Sequence, residues 1–193
     1  MDEGLVCHVG FTVDDCPYVV PTAYARVGDV LYLHGAPANQ MLGALASDAD
    51  VCVTVTILDG LVLARSAKHH SLNFRSVMLF GPARVVDDPA EKRDAALAVV
   101  EHIVPGRSKE ARPPSEEELR ATKFLAFPIA EGSAKIRTGG PIDDEADMAL
   151  PVWAGQLPLS LCAGAPVPEP DIAPGAPAPA GFRQDRFGTL EPI

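Results

Sequence analysis

Apolar residues in the first half of the chain fall into short runs separated by turn residues: Leu5–Val13, Tyr18–Val27, Val30–His34, Val51–Leu58, Leu61–Ala67 and Phe74–Val86. Runs of this length, rich in Val, Leu, Phe and Tyr and bounded by Gly, Asp, Asn and Pro, predict strands of a barrel or sandwich rather than a helical bundle. Gly28-Asp29 separates the second and third runs and Asp59-Gly60 the fourth and fifth. Both dipeptides suit tight hairpins, so the pattern predicts an antiparallel meander.

Three segments read as helices. Ala38–Ala46 follows His34-Gly35, so its first turn could offer backbone N–H groups to an anion. The second opens at Asp88-Pro89-Ala90-Glu91, with a capping acid, a proline at the first helical position and an acid three residues after the cap; Ala96, Leu97, Val100, Ile103 and Val104 form its apolar stripe. The third, Ser115 to Thr122, repeats the capping logic with Ser115 and Glu118, and Pro105-Gly106 and Pro113-Pro114 mark the intervening loop. Lys123–Ala130 then predicts a strand. A polar stretch, Gly132 to Gly140, precedes another apolar run at Trp153–Leu161. Residues 163–193 are rich in Pro, Gly and Ala and read as an extended arm, leaving 1–162 as the one folded domain.

Composition narrows the function classes. The 193 residues are 47% hydrophobic, enough for a sizeable core in a single domain. A formal net charge of −10 repels phosphate backbones and argues against sequence-independent nucleic-acid binding. Cys7, Cys16, Cys52 and Cys162 lack the paired spacings of a zinc site, and a chain of this length needs no disulfide framework, so reduced thiols and no metal centre are expected. The start MDEGLVCHVG is acidic where a signal peptide is basic, and no apolar run reaches the ~20 residues of a membrane span. A soluble cytoplasmic protein without a membrane partner is the expectation.

Against this acidic background, Leu61 to Gly81 (LVLARSAKHHSLNFRSVMLFG) concentrates Arg65, Ser66, Lys68, His69, His70, Asn73 and Arg75 between two apolar runs. That density of cations and hydrogen-bonding groups points to a ligand with an anionic group. The plainer reading is a solvated loop. The segments HVGFTVDDCPYVVPTAY, LYLHGAPANQM, GLVLARSAKHHSLNFRSVMLFGPARVV, EHIVPGR, RPPSEEELRAT, SAKIRTGGP and LPVWAGQLPL follow one another through residues 5 to about 161. In that order they resemble the flavin-nucleotide-binding split-barrel family related to pyridoxamine 5'-phosphate oxidase, specifically its nitroimidazole-reductase-like branch.

The resemblance implies a mainly β fold with flanking helices, a six-stranded antiparallel split β-barrel that pairs as a homodimer with a flavin mononucleotide (FMN) site at each end of the interface. Carried over, Val9-Gly10 with Pro21-Thr22-Ala23 would lie along the flavin ring. The loop after His34-Gly35, with Asn39, Gln40 and Met41, would face the phosphate. Arg65, Ser66, His69, His70, Asn73 and Arg75 would line the rest of the cleft, and Trp153 is a candidate to stack on the ring or a substrate. The resemblance also implies a helical segment ahead of the first strand, for which this sequence has four residues. One departure matters: many relatives carry a basic residue in the loop after the histidine, where this chain has Asn39-Gln40. Losing that cation removes a charge-assisted contact of ~1.5–3 kcal/mol, one to two orders of magnitude in affinity. Lys68 is a candidate to supply the charge from another direction.

His34 matches the reactive histidine of the nitroimidazole-reductase type and is the candidate catalytic residue; it also reads as a strand-end histidine bonding local backbone. His69-His70 would bind a metal only if the backbone turned between them, since neighbours in a strand point to opposite faces. Ser133 to Arg137, a second basic patch, reads either as a solvated hairpin or as a wall over the cofactor. No hydrolase triad, phosphate-binding loop or dinucleotide glycine motif is present, as expected where a flavin carries the chemistry. Three functions follow: an FMN-dependent oxidoreductase of a small organic substrate such as a nitroaromatic; a haem protein on the same barrel with His34 or His70 as axial ligand; or a flavin-binding module without turnover.

Overall fold

Two-residue turns set the first pairings. Strands β1 (Val6–Val13) and β2 (Cys16–Ala23) are joined by Asp14 and Asp15, whose φ angles of 50° and 60° are both left-handed. Two such residues give a turn whose twist matches the flanking strands, and Asp tolerates the conformation better than most. Strands β3 (Ala25–Val27) and β4 (Val30–Gly35) are joined across Gly28 and Asp29, the hairpin predicted from the sequence. The computed structural model describes residues 1–47, 49–173 and 175–178.

Asp59-Gly60 is not a hairpin. Val51–Leu63 is one continuous strand, β5, and Asp59 is the extra residue of a bulge between the pairs Leu58–Phe74 and Gly60–Asn73. Glycine is required there by close approach. A Cβ at Gly60 would lie 2.9 Å from the carbonyl oxygen of Leu157 in the last strand, Gly155–Pro158, which pairs with the second half of β5. The chain reverses later, through a short helical turn at Ala67–His69, and returns as β6 (Ser71–Gly81). Arg65 to His70 therefore form the connection between the two longest strands.

The remaining strands are β7 (Arg84–Val85), β8 (Lys123–Pro128), β9 (Glu131–Arg137) and β10 (Gly155–Pro158). They complete a six-stranded sheet, β2-β1-β5-β6-β9 with β10 also on β5, and a four-stranded sheet, β3-β4-β8-β7. Every pairing is antiparallel. The main core lies between the sheets, with Cys7, Val9, Val53 and Leu79 from one facing Leu31, Leu33, Leu125 and Phe127 from the other. Burial pushes the Cys7 thiol up to about 12. Helix α1 (Gln40–Leu45) closes one end through Met41, Leu42 and Leu45. The architecture is mainly β with flanking helices, the split barrel expected from the sequence.

The four-stranded sheet is covered on its other face by α2 (Pro89–Ile103) and α3 (Glu116–Ala121), where Ala95, Leu119, Phe124 and Ala126 form a second core. Asp88 caps α2 by accepting from Glu91 N at 2.8 Å, and Ser115 with Glu118 forms a reciprocal capping box on α3. The buried stripe of α2 is Ala95 and Val99, one position from the predicted one. Leu97 and Val100 instead border a crevice against Ala111, Arg112 and Pro114, because the 107–114 loop folds back along that side, while Ala96 borders the crevice and also packs against the second core. Of the expected C-terminal arm, residues 163–173 and 175–178 are described, and the rest of that expectation lies outside the described residues.

Candidate functional site

Register across the large sheet places Val19, Gly10, Cys52, Phe80 and Glu131 in one transverse row over five strands. Their chain neighbours Val9, Val53 and Leu79 face the core, so the row lies on the outer face. Gly10 is its low point, and a cavity of about 560 Å³ opens there, bordered by Tyr18, Val19, Cys52 and Phe80 with the carboxylates of Asp50 and Glu131. That volume is typical of small-molecule sites. Among the described residues no Lys, Arg or His lines it, so it suits a flat apolar group and not a phosphate. Pro21 and Ala23 share this face, opposite His8 and Val6, whereas Thr22 pairs with buried Cys7 and points the other way. Val9 is fully buried and offers the face only backbone.

Cations gather at the opposite end of the sheet. Arg65 donates from its backbone N to Asp143 Oδ1 at 3.0 Å and from Nη1 to Asp143 Oδ2 at 2.8 Å. Its Nε is buried without a partner, as is the neighbouring Ser66 Oγ. Burial opposes ionisation of Asp143, but the bonds from Arg65 outweigh it and hold the carboxyl below the usual range. His69 Nε2 lies 3.2 Å and Lys68 Nζ 3.9 Å from Asp144 Oδ2. Those two neighbours, His69 first, hold the Asp144 carboxyl low. His70 Nδ1 is 3.0 Å from the Ser66 carbonyl oxygen. A carbonyl only accepts, so Nδ1 carries the proton and Nε2 the lone pair. Asn73, the buried polar side chain of β6, donates to Gln156 Oε1 at 2.8 Å and accepts from the Arg137 guanidinium. Arg137 also donates to the carbonyls of Gly139 at 3.0 Å and Gly140 at 3.3 Å.

Arg65, Ser66, His69 and His70 thus share one loop, against which Asp143 and Asp144 lie, whereas Asn73 bonds Gln156 and Arg137; Asp143, Asp144 and Gln156 were not among the residues expected from the sequence. Seventy-eight residues separate Arg65 from Asp143, and no spacing signal links them. Arg75 is engaged elsewhere. Its fork binds Asp59 through Nε at 3.0 Å and Nη2 at 2.8 Å, and Nη1 binds Glu3 at 2.6 Å. Asp59 first and then Glu3 raise its proton affinity above the ordinary value.

His34 sits on the four-stranded sheet opposite Phe124, the two rings stacked at 5.9 Å. Its Nδ1 is buried without a partner, and burial lowers its proton affinity, so the ring is neutral near pH 7. In the loop after it, Asn39 Oδ1 accepts from Leu42 N at 3.1 Å and caps the six-residue α1, Gln40 is exposed and Met41 belongs to the core. A Cβ on Gly35 would press on Leu42 at 3.1 Å. Trp153 is 62% exposed, with its indole over Gly155 at the start of β10. Among the described residues no group of three or more His, Cys, Asp or Glu is placed to hold a metal ion, and no helix is long and apolar enough to cross a membrane.

A family model described as pyridoxamine 5'-phosphate oxidase matches residues 1–136. Among solved structures, a flavocytochrome from Azotobacter vinelandii is 41% identical, covering 97% of this chain and 87% of its own, with a TM-score of 0.88. An FAD- and heme-binding protein from Mycobacterium smegmatis is 39% identical over 93% of this chain and 88% of its own, also at 0.88. A Bacteroides thetaiotaomicron protein named for 5-nitroimidazole antibiotic resistance is 27% identical over 69% of this chain and 77% of its own, at 0.58. Among curated proteins none matches.

Proposed function

The chain belongs to the pyridoxamine 5'-phosphate oxidase family, and from that premise we propose that it is a flavin-dependent oxidoreductase that also holds haem. The observation that carries the flavin is the pair of buried, unpartnered polar atoms, Arg65 Nε and Ser66 Oγ, on consecutive residues of the cationic loop. Buried donors are satisfied in native proteins, so two together call for an acceptor that the chain does not supply. A flavin phosphate fits. The apolar cavity beside Gly10 suits the ring across a pair of subunits, since within one subunit it lies at the opposite end of the sheet from Arg65 and Ser66.

Among flavins, FAD is favoured over the FMN expected from the sequence. Arg75 is held by two carboxylates, Arg65 shares its charge with Asp143, and the loop after His34 has no cation. A terminal phosphate carrying roughly −1.5 to −2 would be poorly compensated there, whereas a pyrophosphate spreads its charge over two phosphorus centres. The Mycobacterium smegmatis relative is named for FAD and heme.

For haem, His70 is the residue that would hold the iron. Its exposed ring is oriented by the Nδ1 bond to the Ser66 carbonyl, which leaves Nε2 as the ligating nitrogen, the arrangement by which a backbone acceptor fixes the tautomer of a metal-bound histidine. The flavin supplies one- and two-electron transfer when bound. His34, neutral and with its Nδ1 unpartnered, would hold or release a proton as an acceptor is reduced, and His34→Ala is then expected to lower turnover by roughly 10²-fold. The acidic lining of the cavity selects uncharged or cationic small molecules, a class that includes electron-poor nitroaromatics.

Val19, Leu58, Leu72, Met78 and Phe80 stand exposed on the outer sheet face, and a second copy of the chain is proposed to cover it. Sedimentation should give twice the chain mass of 20.3 kDa. Absorption spectroscopy tests the cofactors. Protein incubated with FAD should retain paired flavin bands after desalting, and with haemin a Soret band that His70→Ala abolishes while sparing the flavin bands. Failure to retain either FAD or FMN would overturn the flavin reading, and an unchanged Soret band in His70→Ala the haem assignment.

A further inference from the structure

Asp143 lies beyond the residues matched by the family model, which ends at 136, yet its side chain is 1% exposed and wedged against the cationic loop. One carboxylate oxygen takes the backbone N–H of Arg65 and the other takes Nη1 of the same residue. Binding main chain and guanidinium of one residue through a single carboxylate removes most of the rotational freedom of a long side chain. Because guanidinium is planar, pinning Nη1 also fixes where the remaining donors aim. The donor left buried and unsatisfied is Nε, and Oγ of the next residue, Ser66, is unsatisfied too. A carboxylate placed to neutralise Arg65 completely would engage Nε with an Nη in a fork, as Asp59 does with Arg75. Asp143 does not.

We propose that Asp143 is a positioning residue that orients Arg65 so that its Nε meets the phosphate of the flavin nucleotide. The inference rests on the flavin reading above and assigns to a residue outside the family match the ordering of the anion contact. Orientation of this kind lowers the entropy lost when the phosphate binds. The loop's own backbone is the link, since the Arg65 N–H has Asp143 as its acceptor.

The test measures dissociation constants of FAD and riboflavin, by quenching of flavin fluorescence, for the full chain and for Asp143→Ala, Asp143→Asn, Arg65→Ala and the Arg65→Ala/Asp143→Ala double variant. Asp143→Ala should weaken FAD about tenfold or more, the loss of one charge-assisted contact, while riboflavin, which has no phosphate, changes by less than about twofold. Asp143→Asn, which keeps an oxygen acceptor for one of the two donors, should fall between wild type and Asp143→Ala. In the Arg65→Ala background, Asp143→Ala should have no further effect on FAD. Equal losses for both ligands, additive losses in the double variant, or tighter FAD binding by Asp143→Ala would each overturn the proposal, the last because it would make the carboxylate a competitor for Arg65. A wild-type chain that binds neither FAD nor FMN would instead overturn the flavin reading itself.

Discussion

Replacing Asn73 with alanine should destabilise the protein by about 2–3 kcal/mol, and the reasoning is open to direct refutation. Asn73 is 7% exposed and joins three segments distant in sequence: β6 through its own backbone, β10 through Gln156 and the end of β9 through Arg137. Removing the amide loses a neutral hydrogen bond worth about 1 kcal/mol and a charged one worth about 1.5–3 kcal/mol. The lower part of the range applies, because Arg137 keeps the carbonyls of Gly139 and Gly140 and exposed Gln156 can bond water. At roughly 2–4 °C per kcal/mol for a chain of this size, Tm should fall by roughly 5–10 °C. Asn73→Asp keeps an acceptor for Arg137 but turns an oxygen toward Gln156 Oε1, so its loss should be smaller. Urea unfolding of Asn73→Ala, Gln156→Ala and the double variant should show coupling of about 1 kcal/mol. A loss below about 0.5 kcal/mol for Asn73→Ala, or strict additivity with Gln156→Ala, would refute the bridging role.

Gly60→Ala places a methyl 2.9 Å from the Leu157 carbonyl, and because the obstacle is backbone it should cost about 1–3 kcal/mol; hydrogen exchange should accelerate in β10, and unchanged protection there would mean that the strand gives way freely. Ser115→Ala removes the cap that accepts from Glu118 N at 3.2 Å and should cost about 1 kcal/mol by urea unfolding. For His34, burial lowers the folded-state pKa beneath the ordinary value of about 6.5, so the unfolded chain takes up the proton first as pH falls. The stability that depends on a neutral ring is therefore complete above about pH 6.5 and declines below it. His34→Gln should flatten the fall in urea midpoint between pH 7 and 5, and an identical slope would show that the ring is not buried enough to matter.

The sequence by itself determined what depends on neighbours in the chain. Gly28-Asp29 closes a hairpin because two residues suffice to set its backbone, and Asp88-Pro89 and Ser115 start helices because caps act within three residues. The proximity of Arg65, Ser66, His69 and His70 was legible for the same reason, since a single loop carries them all. Asp59-Gly60 misled because the dipeptide states only that an unusual backbone is needed there. Whether that need is a turn or the close passage of β10 depends on a strand almost one hundred residues later.

Only the tertiary structure decided which charges are free. Arg75 looked like a phosphate ligand until Asp59, across a bulge, and Glu3, from the N-terminus, were seen to hold its fork. Arg65 Nε is left buried without a protein partner because Asp143 takes Nη1 and the backbone instead. Composition counts charges but does not pair them, and pairing between residues far apart in the chain is set by sheet register and loop path. The same register brings Val19, Gly10, Cys52, Phe80 and Glu131 from five strands into one row, so the cavity at Gly10 exists only once those strands are aligned.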